Sequence, residues 1–191
     1  MIFNQSAGSG GAGGSAIKSI QSVTANTAGS TSMPRVLTLT TEVNPQNCIY
    51  EIGGTCSDYA NEDVICGWMI SSVTSTTVSI TNAAGSSAPA VDSVISVTVI
   101  EFNDGIIKRN YFQYVNPLPT KTTTLSVPVS DASKSIVSAL PLIRVYYGSY
   151  YPAAFRPIFS FSNSSTIQSI GKSGSAGNFK GTVNAQIVEF N

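Results

Sequence analysis

The residues best suited to binding chemistry form an aromatic cluster in the second half of the sequence. The cluster consists of Tyr146, Tyr147, Tyr150, Tyr151, Phe155 and Arg156. Tyrosine joins a large apolar ring to a hydroxyl group, so it suits both protein interfaces and stacking on sugar rings. We expect this cluster to form a packing surface between subunits; ligand binding, or an ordinary surface or core role, are the alternatives.

Residues for acid-base or nucleophilic catalysis are scarce. The chain has no histidine, so the commonest general base is missing and a Ser-His-Asp arrangement cannot be built within it. The carboxylates Glu51, Asp58, Glu62 and Asp63 cluster around Cys56, and glycosidases use such pairs. Their polar setting favours a solvated acidic loop. We therefore predict that the protein is not an enzyme and has no catalytic residue and no cofactor.

Two glycine-containing segments resemble nucleotide-binding motifs only in part. The G-x-G-x-x-G spacing at 8–13 has no strand pattern before it and no helix pattern after it, as a dinucleotide site requires. The Gly-Lys-Ser sequence at 171–173 has Thr166 where a phosphate-binding loop needs its first glycine. Neither segment predicts a nucleotide site.

The N-terminal segment reads as a tether. Residues 8–15 have the composition of a flexible linker. Ile2 and Phe3 precede it as a short apolar tip, which we interpret as a docking peptide; a tail without a role is the alternative.

Three cysteines, Cys48, Cys56 and Cys66, all lie in the first half. They form no C-x-x-C motif, and zinc would need a further ligand from a carboxylate or a neighbour. We predict no metal site and interpret the cysteines as buried or loop thiols in an insertion. A Cys48–Cys56 or Cys56–Cys66 disulfide, or pairing between chains, is the alternative.

The composition is poor in charge. Charged residues make up 10% of the chain and the formal net charge is zero, against about 25% charged residues in ordinary soluble domains. A surface of this kind suits permanent contact with neighbouring proteins. Lysine and arginine are scattered, so we expect no nucleic-acid binding. The sequence contains no apolar run long enough for a membrane span and no secretory signal pattern.

The chain carries pairs of matching segments, which we interpret as an internal duplication. Val-Ile-Glu-Phe-Asn at 99–103 matches Ile-Val-Glu-Phe-Asn at 187–191, and Ile-Lys at 17–18 matches Ile-Lys at 107–108. Alternating apolar residues, as in Leu37, Leu39 and the stretch 94–102, indicate strands. We predict an all-β protein with two tandem β-sandwich-like units: a flexible tail at 1–15, unit 1 at 16–103 and unit 2 at 104–191. Chance similarity among Ser/Thr/Val-rich strands is the alternative.

The opening Gly-Gly-Ser-Ala-Ile-Lys-Ser-Ile-Gln at 13–21 and the closing Gly-Thr-Val-Asn-Ala-Gln-Ile-Val-Glu-Phe-Asn at 181–191 resemble small β-rich virion proteins of bacteriophages and prophages. The cysteine-bearing segment departs from that group. The resemblance implies a structural protein of the virion, assembled in the host cytoplasm, either associated with the tail or its fibres or decorating the head. It also implies other virion proteins as partners and a homo-oligomer, for which a trimer suits a fibre. The alternative function is a receptor-recognition protein or adhesin that binds a host surface glycan.

Overall fold

A computed structural model describes residues 15–26, 34–56, 65–82, 93–115, 121–139, 142–147, 150–155, 158–170 and 183–191. These residues form fourteen β-strands and two one-turn 3₁₀ helices, and they contain no α-helix. The all-β class that the sequence predicts is confirmed.

The strands in chain order are β1 (Ile17–Asn26), β2 (Arg35–Thr38), β3 (Cys48–Cys56), β4 (Ile65–Val73), β5 (Thr77–Asn82), β6 (Ser93–Phe102), β7 (Ile107–Val115), β8 (Thr122–Thr124), β9 (Ser135–Ala139), β10 (Leu142–Tyr147), β11 (Tyr150–Phe155), β12 (Ile158–Asn163), β13 (Thr166–Ile170) and β14 (Val183–Phe190). The 3₁₀ helices are Pro45–Asn47, directly before β3, and Ala132–Lys134, directly before β9.

The second half of the chain repeats the strand order of the first. In the first half, β1, β6 and β3 form one antiparallel sheet and β4, β5 and β2 are neighbours in another. In the second half, β7, β14 and β9 form one sheet and β12, β13 and β8 form the other. Each strand of the first half therefore has a counterpart, in the same chain order, in the second.

The repeat extends to details of register and hydrogen bonding. A bulge after Ile17 brings Ser19 opposite Glu101, and the same irregularity brings Arg109 opposite Glu189. The Asn103 N–H donates to the Ala16 carbonyl, as the N–H of Asn191 does to that of Ile106. These matches between corresponding positions show that the halves are structural repeats.

Each half builds its own apolar core from the alternating positions of its strands. Sheet strands present successive side chains to opposite faces, and the inward ones are buried. The first core includes Val23, Tyr50, Ile70, Ile80 and Val97. The second includes Val115, Leu125, Phe159, Ile167 and Ile187.

The hairpin of β10 and β11 joins the halves through a shared sheet. It lies between β9 and β12 in the second half of the sequence, yet β10 pairs with β4 of the first half, with Leu142 opposite Trp68. The sheet that contains β2, β5 and β4 thereby grows to five strands, with β11 at its edge.

The placement of the cysteines differs from the sequence prediction. Cys48 and Cys56 begin and end β3, and Cys66 lies on β4. Cys48 is the counterpart of Ser135 on β9, because the two lie opposite Glu101 and Glu189, so Cys48 does not lie in an insertion. Cys56 lies in the part of β3 that extends past the positions matched by β9, and for it and Cys66 the insertion stays a prediction. A strand rises about 3.3 Å per residue, so eight steps separate Cys48 from Cys56 by about 26 Å. A disulfide needs Cα atoms within about 7 Å, which excludes this pairing within one chain.

Candidate functional site

The surface where the two halves meet is the most elaborate polar arrangement of the described residues, and we call it the joint. Its central strand is β14, of which every residue from Val183 to Glu189 is buried. One face of β14 supplies Ala185 and Ile187 to the second core. The other face carries Asn184 and Gln186 against the first half. A single strand thus serves two packing surfaces.

The side chain of Gln186 takes the place of a neighbouring strand at the edge of β3. It is fully buried. Its Oε1 accepts from the Tyr50 N–H at 3.1 Å, and its Nε2 donates to the Cys48 carbonyl at 2.7 Å. A carboxamide carries the same donor and acceptor as a peptide group. It therefore satisfies two edge groups whose burial without a partner would be costly.

Asn110 and Asn184 extend this pattern on either side of Gln186. Asn110 Nδ2 donates to the Cys48 carbonyl at 2.7 Å and to the Pro45 carbonyl at 3.0 Å. Its Oδ1 accepts from Gln186 Nε2 at 2.9 Å. Asn184 Nδ2 donates to the Ile70 carbonyl of β4 at 2.7 Å. Three carboxamides of the second half therefore bind backbone groups on both sheets of the first.

The joint also contains apolar side chains from both halves. Ile49, Ile107 and Val188 form a buried cluster with the partly buried Phe102, Ile136 and Phe190. The Phe102 and Phe190 rings meet edge to face with centroids 6.1 Å apart. The Phe112 ring of β7 lies 5.8 Å from that of Tyr50. This combination of apolar burial and satisfied polar groups resembles a protein–protein interface more than an enzyme cleft.

A buried carboxylate fixes the sheet that faces the joint in each half. Glu101 Oε1 accepts from Lys18 Nζ and from the Asn44 N–H, both at 3.0 Å. Burial would raise the pKa of Glu101, but these hydrogen bonds and the one from Ser19 hold that pKa below its usual value. The carboxylate thus ties the opening bulge of β1 to the residue that caps the first 3₁₀ helix.

Glu189 repeats this arrangement in the second half. Its Oε1 accepts from Lys108 Nζ at 3.2 Å and from the Ser130 N–H at 3.0 Å. Burial again raises the pKa of the carboxyl, and the hydrogen bonds from Ser130 and Lys108 lower it to a net value below the usual one. Both glutamates belong to the matching closing pentapeptides, so the repeated sequence marks a structural clamp.

The tyrosine cluster lies on the shared hairpin. Tyr146 and Tyr147 end β10, Tyr150 and Tyr151 begin β11, and Phe155 ends β11. Tyr147 is the register partner of Tyr150. The four tyrosines therefore lie where β10 ends and β11 begins, at the edge of the five-stranded sheet. Whether they contact a partner stays a prediction.

Other sequence candidates fall outside the described residues. Arg156, Ile2 and Phe3 do so, as do the carboxylates Asp58, Glu62 and Asp63. Glu51 is on β3, opposite Thr98 of β6. Within the described ranges, no group of three or more Cys, Asp or Glu residues is arranged to hold a metal ion.

Cys48 has a structural setting. Its thiol is buried and free, and donates to the Asn44 carbonyl at 3.2 Å. Burial raises the pKa of this thiol to about 11, so it carries little of the thiolate that reacts or binds metals.

The joint residues were absent from the sequence prediction. Asn184 and Gln186 alternate with apolar residues in the closing strand, a pattern that equally describes a strand with one face in solvent. The available signal was a comparison of the repeats: Ser96 and Thr98 stand in β6 where β14 has the longer carboxamides.

Comparison of the chain with known protein families, with curated proteins and with solved structures found no match. In the described part of the chain, no helix is long and apolar enough to cross a membrane.

Proposed function

We propose that this protein is a structural component of a bacteriophage virion, associated with the tail or its fibres or decorating the head. It acts by protein–protein assembly and not by catalysis. Its partners are other virion proteins and further copies of the same chain. The particle is its location, after assembly in the host cytoplasm.

The joint is the observation that carries this proposal. In the joint, the outer face of the β7–β14–β9 sheet packs on the edge of β3, where Gln186 satisfies two backbone groups. Proteins that assemble into particles need surfaces of this kind, in which apolar contact and matched hydrogen bonds set a fixed geometry.

Composition supports the same role. With 10% charged residues and a net charge of zero, copies of the chain do not repel one another at neutral pH. The resemblance of the opening and closing segments to phage virion proteins gives the proposal its particular setting.

Immunogold electron microscopy of particles released from the source organism tests this function. An antibody raised against the recombinant chain should label phage heads or tails, and antibody absorbed with that chain should not. Label on intact cells with none on particles would contradict the virion role.

A glycan-binding receptor or adhesin role is the second candidate. The observation that favours it is the placement of four tyrosines where β10 ends and β11 begins, since aromatic rings stack on sugars. Under this role, Tyr150→Ala would abolish weak binding to a cell-wall glycan while the fold is kept. Tyr114→Ala, at an exposed tyrosine of β7, is the matched control. Equal binding by both variants would remove this candidate.

A further inference from the structure

The joint uses a different surface of each repeat: a sheet face of the second half and a strand edge of the first. The second half places the outer face of its β7–β14–β9 sheet on the β3 edge of the first half. Of the corresponding face of the first half, Ile49 and Phe102 join the apolar cluster of the joint, as Ile136 does from the corresponding edge of the second half. The hydrogen-bonding positions of that face and that edge, among the described residues, make no contact that repeats those of Gln186 and Asn110. One molecule therefore presents one unused copy of each surface.

The unused face lies on β1 and β6, and we call it the free face. Ile20 of β1 occupies the position of Asn110, because Ile20 pairs with Ile100 as Asn110 pairs with Val188. Asn110 is 6% exposed and Ile20 is 61% exposed. Thr98 of β6 is the counterpart of Gln186 of β14. Gln186 is fully buried, whereas Thr98 is only partly buried. The free face is thus an apolar and hydroxyl-bearing surface that lacks the cover its counterpart has.

The unused edge is that of β9, and we call it the free edge. β9 pairs with β14 on one side and, within the described chain, with no strand on the other. Its residue Val137 is the counterpart of Tyr50, since each lies opposite the matching position of the central strand. Tyr50 is fully buried and Val137 only partly. By the alternation of an antiparallel ladder, the Val137 N–H and the Ser135 carbonyl point away from β14, as their counterparts do in β3.

From this asymmetry we infer that a second copy of the chain docks its free face on the free edge of the first, repeating the joint between molecules. The contact is heterologous, because each copy uses a different surface on each side. Repetition gives a row of sandwich-like units in which each contacts its neighbours, as in other stacked repeats. The row either stays open, so that copies can be added at both ends, or closes into a ring.

The contact between molecules is weaker than the joint within one. The positions of Asn110 and Gln186 hold Ile20 and Thr98, so apolar burial replaces most of the carboxamide hydrogen bonds. The exposed Ile20 gains by leaving water, while the short Thr98 side chain, already bonded to Ser22 at 2.9 Å, reaches less far. We expect reversible association that depends on concentration.

Sedimentation of the full chain at increasing concentration tests the inference. The mass should rise above the 19.9 kDa of one chain. Ile20→Lys should return it to that value, because a charge on the free face would be buried without a partner. Val36→Lys, at a similarly exposed position on β2, is the matched control and should associate as the natural chain does. A chain that stays monomeric at near-millimolar concentration, or equal masses for the two variants, would overturn the inference.

Disulfide trapping tests the direction of the contact. Asn110 Nδ2 approaches the Gln46 carbonyl at 3.4 Å within the joint, and Ile20 and Ser133 are the counterparts of these residues. Ile20→Cys mixed with Ser133→Cys should give a cross-linked dimer, whereas either variant alone should give no more than the unmodified chain. Cross-linking of Ile20→Cys to itself would show a symmetric contact and would overturn the head-to-tail arrangement.

The inference rests on the proposed assembly role, yet the two fail separately. If the chain is monomeric but the antibody against it labels virions, head-to-tail association would be removed and the proposed function would stand. If the chain associates but the antibody labels no particle, the virion function would be removed and head-to-tail association would stand.

Discussion

Replacing Gln186 by leucine should destabilise the protein through the joint alone. Gln186→Leu keeps the approximate volume and removes three hydrogen bonds: from the Tyr50 N–H, to the Cys48 carbonyl and to Asn110 Oδ1. The Cys48 carbonyl keeps its bond from Asn110 at 2.7 Å. Two buried polar groups, the Tyr50 N–H and Asn110 Oδ1, are therefore left without a partner.

The magnitude follows from these two groups. An unsatisfied buried polar group costs about 1–3 kcal/mol, and the apolar surface that leucine adds offsets roughly 1 kcal/mol. For two such groups, we expect the free energy of unfolding to fall by about 1–5 kcal/mol, with a central value of about 3 kcal/mol. Urea denaturation followed by tryptophan fluorescence and circular dichroism measures this loss. The Tyr50 amide should also lose protection against hydrogen exchange.

Gln113 offers a matched control for this substitution. Its side chain also bonds two backbone groups, the Thr124 carbonyl at 2.7 Å and the Ser126 N–H at 2.8 Å, but Gln113 is only partly buried and these bonds are accessible to solvent. Water can replace those bonds, so Gln113→Leu should cost no more than about 1 kcal/mol. Equal losses for the two variants would refute the argument that the joint is dry and its polar groups are matched.

Two further substitutions probe the repeats themselves. Because the pKa of Glu101 is lowered in the folded protein, its contribution to stability is present above the unfolded pKa and is lost as pH falls through the folded pKa. Glu101→Gln should thus lower the urea midpoint at pH 7, and the midpoint should then fall less steeply as the pH is lowered. Glu42→Gln, at an exposed position, is the control and should leave the fall of the midpoint in acid unchanged. If the midpoints of both variants fell in parallel in acid, the stabilising role of the Glu101 carboxylate would be contradicted. Gly54 has φ +149° and an added Cβ would collide with the Val94 carbonyl oxygen, so Gly54→Ala should cost about 2 kcal/mol or more. Gly53→Ala, where a Cβ meets open space, should cost less than half as much in the same denaturation assay.

The sequence was sufficient to predict the all-β class because the signals are local. Alternation of apolar residues in β1 and β6 reports a strand whatever its neighbours. The matching Glu-Phe-Asn endings also coincide with equivalent positions in the structure, opposite the same bulge. These features depend on residues close together in the chain or identical between repeats.

The joint and the shared sheet could not be read in the same way, because they depend on distant pairing. A strand at Ile143 to Tyr147 is visible in the sequence, but its partner β4 lies more than seventy residues earlier. The polar residues of β14 look like a solvent face until the first half is placed against them. Cys48 misled for a related reason: the absence of cysteine from the second half suggested an insertion, whereas β9 carries Ser135 at the matching position.

The binding of the Gln186 side chain to the edge of β3 also has a consequence for biosynthesis. The amide that closes this edge comes from Gln186, 136 residues after Tyr50. A growing chain that has released only its first half therefore carries an unprotected strand beside the apolar Ile49 and Phe102. Such edges invite cross-pairing between nascent polypeptides. The edge of β3 is covered only after β14 has been synthesised. Premature termination before β14 should therefore leave fragments that aggregate.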